Sequence, residues 1–197
     1  IVFPDSEAGS AVSDLDTTIE LTRGFPELPM VGTAEIPTLN QALLDKLESL
    51  ATAREIVGIK LYPGYEPFYP IDARCQGIYE MCIRHDLPVV IHSSEYGGDS
   101  KYNHPTEIAK VADRHPDLKI VVAHFSVPRL GACRELVLRY PNVYAEISGM
   151  ADPEVVRDCG GSAVVAEVAA DVANRQPHKL LYSTDWPLCG FKEHLDL

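Results

Sequence analysis

The sequence predicts an α/β fold, a (β/α)8 TIM-like barrel, from three observations. Short apolar runs rich in β-branched residues recur with little polar alternation, as suits parallel strands covered on both faces. Segments of helical period separate these runs. Residues 59, 90 and 122 lie near the centres of three successive runs, 31 and 32 residues apart. A barrel of about 250 residues in eight units averages roughly 31 residues per unit. A doubly wound open sheet gives the same local signals, so the choice between the two rests on the motifs.

The elements follow in order. Ile1 to Phe3 opens the chain as an apolar run stopped by Pro4. Further runs cover Met30 to Ile36, Ile56 to Leu61, Pro88 to Ile91, Ile120 to Ala123, Val143 to Ile147 and Leu180 to Tyr182. Between them, Leu39, Leu43, Leu44, Leu47 and Leu50 form an apolar stripe at helical spacing. Ala73 to Arg84 and Thr106 to Arg114 read the same way, with Asp72 and Pro105-Thr106 as start signals. Pro26, Pro116 and Pro141 each stand just before a strand, where a helix cannot continue.

The chain has 197 residues and 46% hydrophobic content, enough for one domain with a substantial core. Lys and Arg number 17 against 29 Asp and Glu, a formal net charge of −12. So acidic a surface repels phosphate backbones and anionic lipid, which argues against nucleic-acid and membrane partners. No apolar run is long enough to span a bilayer, and no secretory signal is visible. Five scattered cysteines without a C-x-x-C pair read as free thiols in a reducing compartment, hence a cytoplasmic protein. A small-molecule substrate is the expected partner; a homodimer is compatible with the sequence.

Four apolar runs lead into a polar residue: Lys60 in VGIKLYP, His92 in PVVIHSS, His124 in KIVVAHFS and Asp185 in LLYSTDWP. The C-terminal strand ends of parallel α/β folds gather the chemistry, because side chains converge there on one opening. Two imidazoles and a carboxylate suit zinc or a similar divalent ion, which would lower the pKa of a bound water. A single His after a strand is more often a hydrogen-bonded structural residue; three such groups at equivalent ends shift the balance. Lys60 can meet a substrate carboxylate, or close its strand by pairing with Glu35. Glu146 reads as a substrate-binding or supporting group, with a solvated strand end as the alternative. His85, His104, His115 and His178 read as surface residues. Serine-hydrolase, P-loop and dinucleotide-binding motifs are absent.

Together these phrases resemble amidohydrolase family 2, the branch containing aminocarboxymuconate-semialdehyde decarboxylase, hydroxybenzoate decarboxylases and lactone hydrolases. GIKLYP is similar to that family's fourth-strand phrase, LPVVIHSS to its fifth, DLKIVVAHFS to its sixth, NVYAEISG to its seventh and LLYSTDWP to its eighth. The resemblance implies a distorted barrel with one divalent metal ion, usually zinc. It implies His92 and Asp185 as metal ligands, Asp185 also acting on the water, and His124 as the group that polarises substrate or moves a proton. Residues alone do not separate ligand from catalyst. The family's first-strand His-x-His has no counterpart, since no His precedes His85. Ile1 to Pro4 resembles the second strand. One barrel domain over residues 1–197, shortened at both ends and binding metal weakly, is therefore expected. Ser126 and Ser183 stand where the family usually has Gly. The expected function is a metal-dependent hydrolase or nonoxidative decarboxylase for a small carboxylated or cyclic substrate. The rival is a silent barrel fragment that binds a small molecule or partner chain.

Overall fold

The computed structural model describes residues 2–4, 14–25, 27–185 and 189–195. Six parallel strands form one sheet: β1 (Met30–Thr33), β2 (Ile56–Leu61), β3 (Val89–Ile91), β4 (Ile120–Val122), β5 (Val143–Glu146) and β6 (Leu180–Leu181). They pair in strict chain order, each with the next. A doubly wound sheet reverses its strand order part-way, whereas sequential order is that of a barrel. The chain is a partial (β/α) barrel. Of the opening run, Ile1 lies outside the described residues, and Val2 bridges Met30 in parallel.

The helices are α1 (Leu15–Arg23), α2 (Gln41–Thr52), α3 (Gln76–Arg84), α4 (Pro105–Arg114), α5 (Leu130–Arg139), α6 (Pro153–Asp158), α7 (Ser162–Arg175) and α8 (Phe191–Leu195). Side-chain caps fix several starts. Asn40 accepts from the Leu43 N–H, so α2 begins two residues after Leu39. Asp72 accepts from the Arg74 N–H and starts a 3-10 turn that runs into α3. Pro105 takes the first position of α4, where no N–H is needed. The strands are shorter than the apolar runs. Ile36 leaves β1 for a 3-10 turn with Pro37, whose missing N–H cannot serve a ladder. Of the three prolines expected before strands, Pro116 and Pro141 lie in αβ loops, and Pro26 is outside the described residues.

Register decides which residues face inward. Thr33, Lys60, Val90, Val121 and Tyr144 are successive partners across five strands and form one row. The neighbouring row, Ile59, Val89, Ile120 and Val143, is fully buried in the main core with Ile78, Ile108, Val111 and Val137 of the helices. Val90, Val121 and Ala123 instead form a separate small cluster with Tyr144. The helices thus cover one face and the Lys60 row looks into the barrel. Because side chains alternate, residues two beyond that row return to the inner face one step nearer the C-terminal end. Those residues are Tyr62, His92, Ala123 and Glu146.

Glu66, in the loop after β2, accepts the Ile36 N–H at 2.8 Å and so ties that loop to the one after β1. Burial, aided by nearby Glu35, pushes its carboxyl up to about 7, against the opposing Ile36 hydrogen bond and Arg74. The unfolded chain holds that proton only near 4.5. The folded state therefore binds the extra proton between these values, and stability falls as pH rises towards 7. Glu66→Gln keeps an acceptor for Ile36 without the charge. Relative to wild type it should gain about 1–2 kcal/mol between pH 5 and pH 8, after discounting for partial exposure, or roughly 4 °C in melting temperature. Thermal melts at the two pH values check this, and parallel shifts would refute it.

Candidate active site

His92 directly follows β3, and its N–H extends the ladder by bonding the Leu61 carbonyl at 2.9 Å. That extra rung holds the ring on the inner face. It is 4% exposed, and its Nε2 is buried without a hydrogen-bond partner. The ring stands edge-on to Tyr65 at 4.9 Å and to His124 at 5.0 Å, with Tyr62 stacked farther off. Burial, with the cationic neighbourhood of His124, Lys60 and Arg129, holds its pKa well below the usual imidazole range, so the ring is neutral.

His124 reaches the same place by a different route. After Val122 the chain leaves the sheet, and His124, Phe125 and Ser126 are all left-handed, with φ of 58°, 46° and 55°. Three consecutive non-glycine residues in this region need external support. Much of it comes from Glu146, the last residue of β5, which is buried. Its Oε1 accepts the His124 N–H at 2.7 Å and the Ser148 hydroxyl at 2.8 Å. Its Oε2 accepts the Ser148 N–H at 2.7 Å and the Ser183 hydroxyl. Burial raises the Glu146 pKa, but His124, Lys60 and these hydroxyls outweigh it, and the group stays a carboxylate. Four donors occupy its acceptor positions, so Glu146 is a bracket behind His124 rather than a solvated strand end.

The strand ends of the two histidines are also laced together. Ser93 donates its hydroxyl proton to the Asn103 carbonyl at 2.7 Å, so the 2.6 Å contact with Ser126 has Ser126 as donor. Buried Asn103 in turn donates to the Ser94 carbonyl and accepts from Arg129. Asp185 lies four residues beyond β6 at φ 64°, with its Oδ2 3.9 Å from His124 Nδ1. Gly149, at φ 73°, passes beside both. A Cβ there would meet Asp185 Oδ2 and His124 Nδ1 at 3.8 Å, in space that the glycine leaves open.

Lys60 is buried on the row below. It forms no ion pair with Glu35, the pairing entertained from the sequence; Glu35 accepts from Thr38 instead. Its Nζ lies 5.3 Å from the Tyr62 ring centroid and 5.8 Å from that of Phe3. Burial lowers its pKa while the Glu146 and Asp185 carboxylates push it up. The structure thus brings His92, His124, Glu146, Lys60 and Asp185 to one end of the barrel. One expectation changes: among the described residues no three His, Cys, Asp or Glu side chains group so as to hold a metal ion. His124 is engaged by Ser148 at Nδ1 and stands edge-on to His92, as suits the catalytic rather than ligand role that the resemblance implied for it. Of the other histidines, His178 is exposed, whereas His85 bonds Glu48, His104 caps α4 and His115 packs on Tyr79.

An Amidohydrolase family model matches residues 19–197. The chain belongs to the amidohydrolase family. No curated protein matches it. Among solved structures, the chain is similar to an uncharacterised TIM-barrel protein from Bordetella bronchiseptica, with 20% identity over 93% of the chain and a TM-score of 0.75. It is also similar to 5-carboxyvanillate decarboxylase from Novosphingobium aromaticivorans, solved with manganese and 4-hydroxy-3-methoxy-5-nitrobenzoic acid (16% identity over 91% of the chain, TM-score 0.59). A third is dihydroorotase from Saccharomyces cerevisiae with 5-fluoroorotic acid (16% identity over 87% of the chain, TM-score 0.60). The chain spans 63%, 61% and 57% of these three structures' lengths, less than two thirds of each.

Several residues that shape this candidate site carried little sequence signal. Tyr65 packs its ring against His92, and the Gly97-Gly98 pair allows it. A Cβ on Gly97 would sit 2.1 Å from the Tyr65 hydroxyl, and one on Gly98 would lie 2.4 Å from the Gly64 backbone. The paired glycines were visible as a loop, but not as a seat for an aromatic wall. Ser148 and Ser183 were likewise silent; the phrase E-I-S-G, a carboxylate two residues before a hydroxyl and a glycine, is the signal that could have found Ser148.

Proposed function

We propose that this chain carries the active-site half of a metal-dependent hydrolase or nonoxidative decarboxylase for a small carboxylated or cyclic substrate. The observation that carries this reading is His92. A buried, neutral imidazole with an unpartnered Nε2, beside a second histidine at the C-terminal ends of parallel strands, is suited to a metal; His194 also has a buried, unpartnered Nε2 but lies on a helix without a second histidine beside it among the described residues. Family membership and the manganese bound to the decarboxylase relative support it.

The chemistry of an unpartnered imidazole and a carboxylate suits a divalent ion as part of its shell. His92 and Asp185 would hold it, and remaining positions would be filled by water or other donors. The sequence favours zinc, while the relative holds manganese. Such an ion supplies Lewis acidity. The chain's own residues do the rest. His124 moves a proton, Asp185 assists at the same point, and Lys60 takes a substrate carboxylate. The aromatic rings of Tyr62 and Tyr65 beside His92 limit water there. Five free cysteines support placement in the reducing cytoplasm. Among the described residues no helix is long and apolar enough to cross a membrane. A silent, ligand-binding barrel is the second reading, favoured by the lack of a three-donor metal cluster among those residues.

The two roles separate by mutation. Asp185→Ala should lower both bound metal and turnover. His124→Ala should lower turnover by about 10²-fold or more and leave most metal in place. Metal analysis alongside assays on aromatic carboxylates and cyclic amides reads both. Equal metal loss in the two variants would show the roles to be wrongly divided.

A further inference from the structure

We propose that Ser148 and Glu146 are positioning residues that fix the His124 tautomer, with the proton on Nδ1 and the lone pair on Nε2. The inference deepens the functional reading above and rests on it for its catalytic meaning, though not for its geometry. Ser148 Oγ lies 2.8 Å from Glu146 Oε1 and 2.8 Å from His124 Nδ1. A hydroxyl has one proton, so one of these two contacts must have Ser148 as acceptor.

Glu146 cannot be the donor to it. Its other three contacts come from the His124 N–H, the Ser148 N–H and the Ser183 hydroxyl, and the two backbone donors cannot reverse. With three donors already on it and buried Lys60 nearby, Glu146 is held as a carboxylate despite its burial, so it has no proton to give at the fourth contact. Ser148 must donate to Glu146, and its free lone pair must accept from His124. If Ser148 turned its proton to the ring instead, two oxygens would face each other at 2.8 Å with nothing between them. Asp185 does not compete, since its Oδ2 is 3.9 Å from Nδ1.

The main chain makes the arrangement rigid. Glu146 holds the backbone of His124 and of Ser148 at once, so ring and hydroxyl are mounted on one carboxylate. The consequence is a choice between the two roles that the resemblance implied for His124. A ring with a bare Nε2 accepts a proton and cannot polarise a substrate oxygen by donating from that atom. His124 is therefore a base at the start of a cycle.

Long-range proton–nitrogen NMR on the ¹⁵N-labelled chain near neutral pH reads the tautomer directly. Wild type should show the His124 ring as a single Nδ1–H form. Ser148→Ala should lose that preference, giving Nε2–H or a mixture, and Ser148→Thr, which keeps the hydroxyl, should retain it. A wild-type Nε2–H ring, or an unchanged pattern in Ser148→Ala, would overturn the proposal. If Ser148→Ala does not fold, wild type and Ser148→Thr decide alone, both being required to show Nδ1–H. A chain that binds no divalent metal yet keeps this tautomer would defeat the functional reading and leave the positioning role intact.

Discussion

Glu146→Ala is expected to destabilise the protein by about 4 kcal/mol, a drop of roughly 10 °C or more in melting temperature. The carboxylate accepts four hydrogen bonds, two from backbone N–H groups that have no other place to turn. Hydrogen bonds to a charged group are each worth about 1.5–3 kcal/mol, and orphaned buried donors add their desolvation. The left-handed run His124–Ser126 then keeps its intrinsic cost, about 1–2 kcal/mol per residue, without the bracket that supports it. Lys60 also loses one of the two carboxylates that favour its charge in a buried position. Glu146→Gln should cost less, because the amide oxygen still accepts from the His124 N–H and the Ser148 hydroxyl, although its NH₂ then faces the Ser148 N–H. Denaturant unfolding of the two variants measures this. A Glu146→Ala protein within about 1 kcal/mol of wild type would show that the loop is held by other contacts.

How much of this was legible in the sequence depends on range. Local rules placed all six strands and the Leu stripe of α2, because apolar periodicity and caps act over a few residues. The placement of His92 and Asp185 beyond strand ends followed from the apolar runs before them. Trimming of the strands was less visible: Pro37 ends β1 early, and the left-handed turn at His124 ends β4. That turn had one trace in the sequence. Ser126 stands where the resemblance implied a Gly, and its φ of 55° is a conformation that glycine adopts without strain. Ser183, the other such position, turned out to donate to Glu146. The Glu146 bracket was not legible, since its partners come from the turn after β4, the turn after β5 and the segment after β6. Only the folded barrel brings them to one carboxylate. Lys60 shows the same limit. Its pairing with Glu35 was reasonable between adjacent strands, but the inward row buries it among rings and places it near Glu146 and Asp185.

The second large effect concerns His92. Replacing it with Ala should weaken divalent-metal binding at the barrel mouth by at least about tenfold, because a neutral imidazole with a free Nε2 is the best donor there. The seven histidines are spread over the chain and act as reporters. Titration with Mn²⁺, followed by paramagnetic broadening of the histidine ring signals, therefore locates the metal whatever its affinity. The expected result is that His92 and His124, whose rings are 5.0 Å apart, broaden at the lowest Mn²⁺, well before exposed His178. In His92→Ala, the His124 signal should then need at least about tenfold more Mn²⁺ to broaden. Sharp His92 and His124 signals while His178 broadens, or a His92→Ala titration identical to wild type, would contradict the assignment of this barrel mouth as a metal-dependent active site.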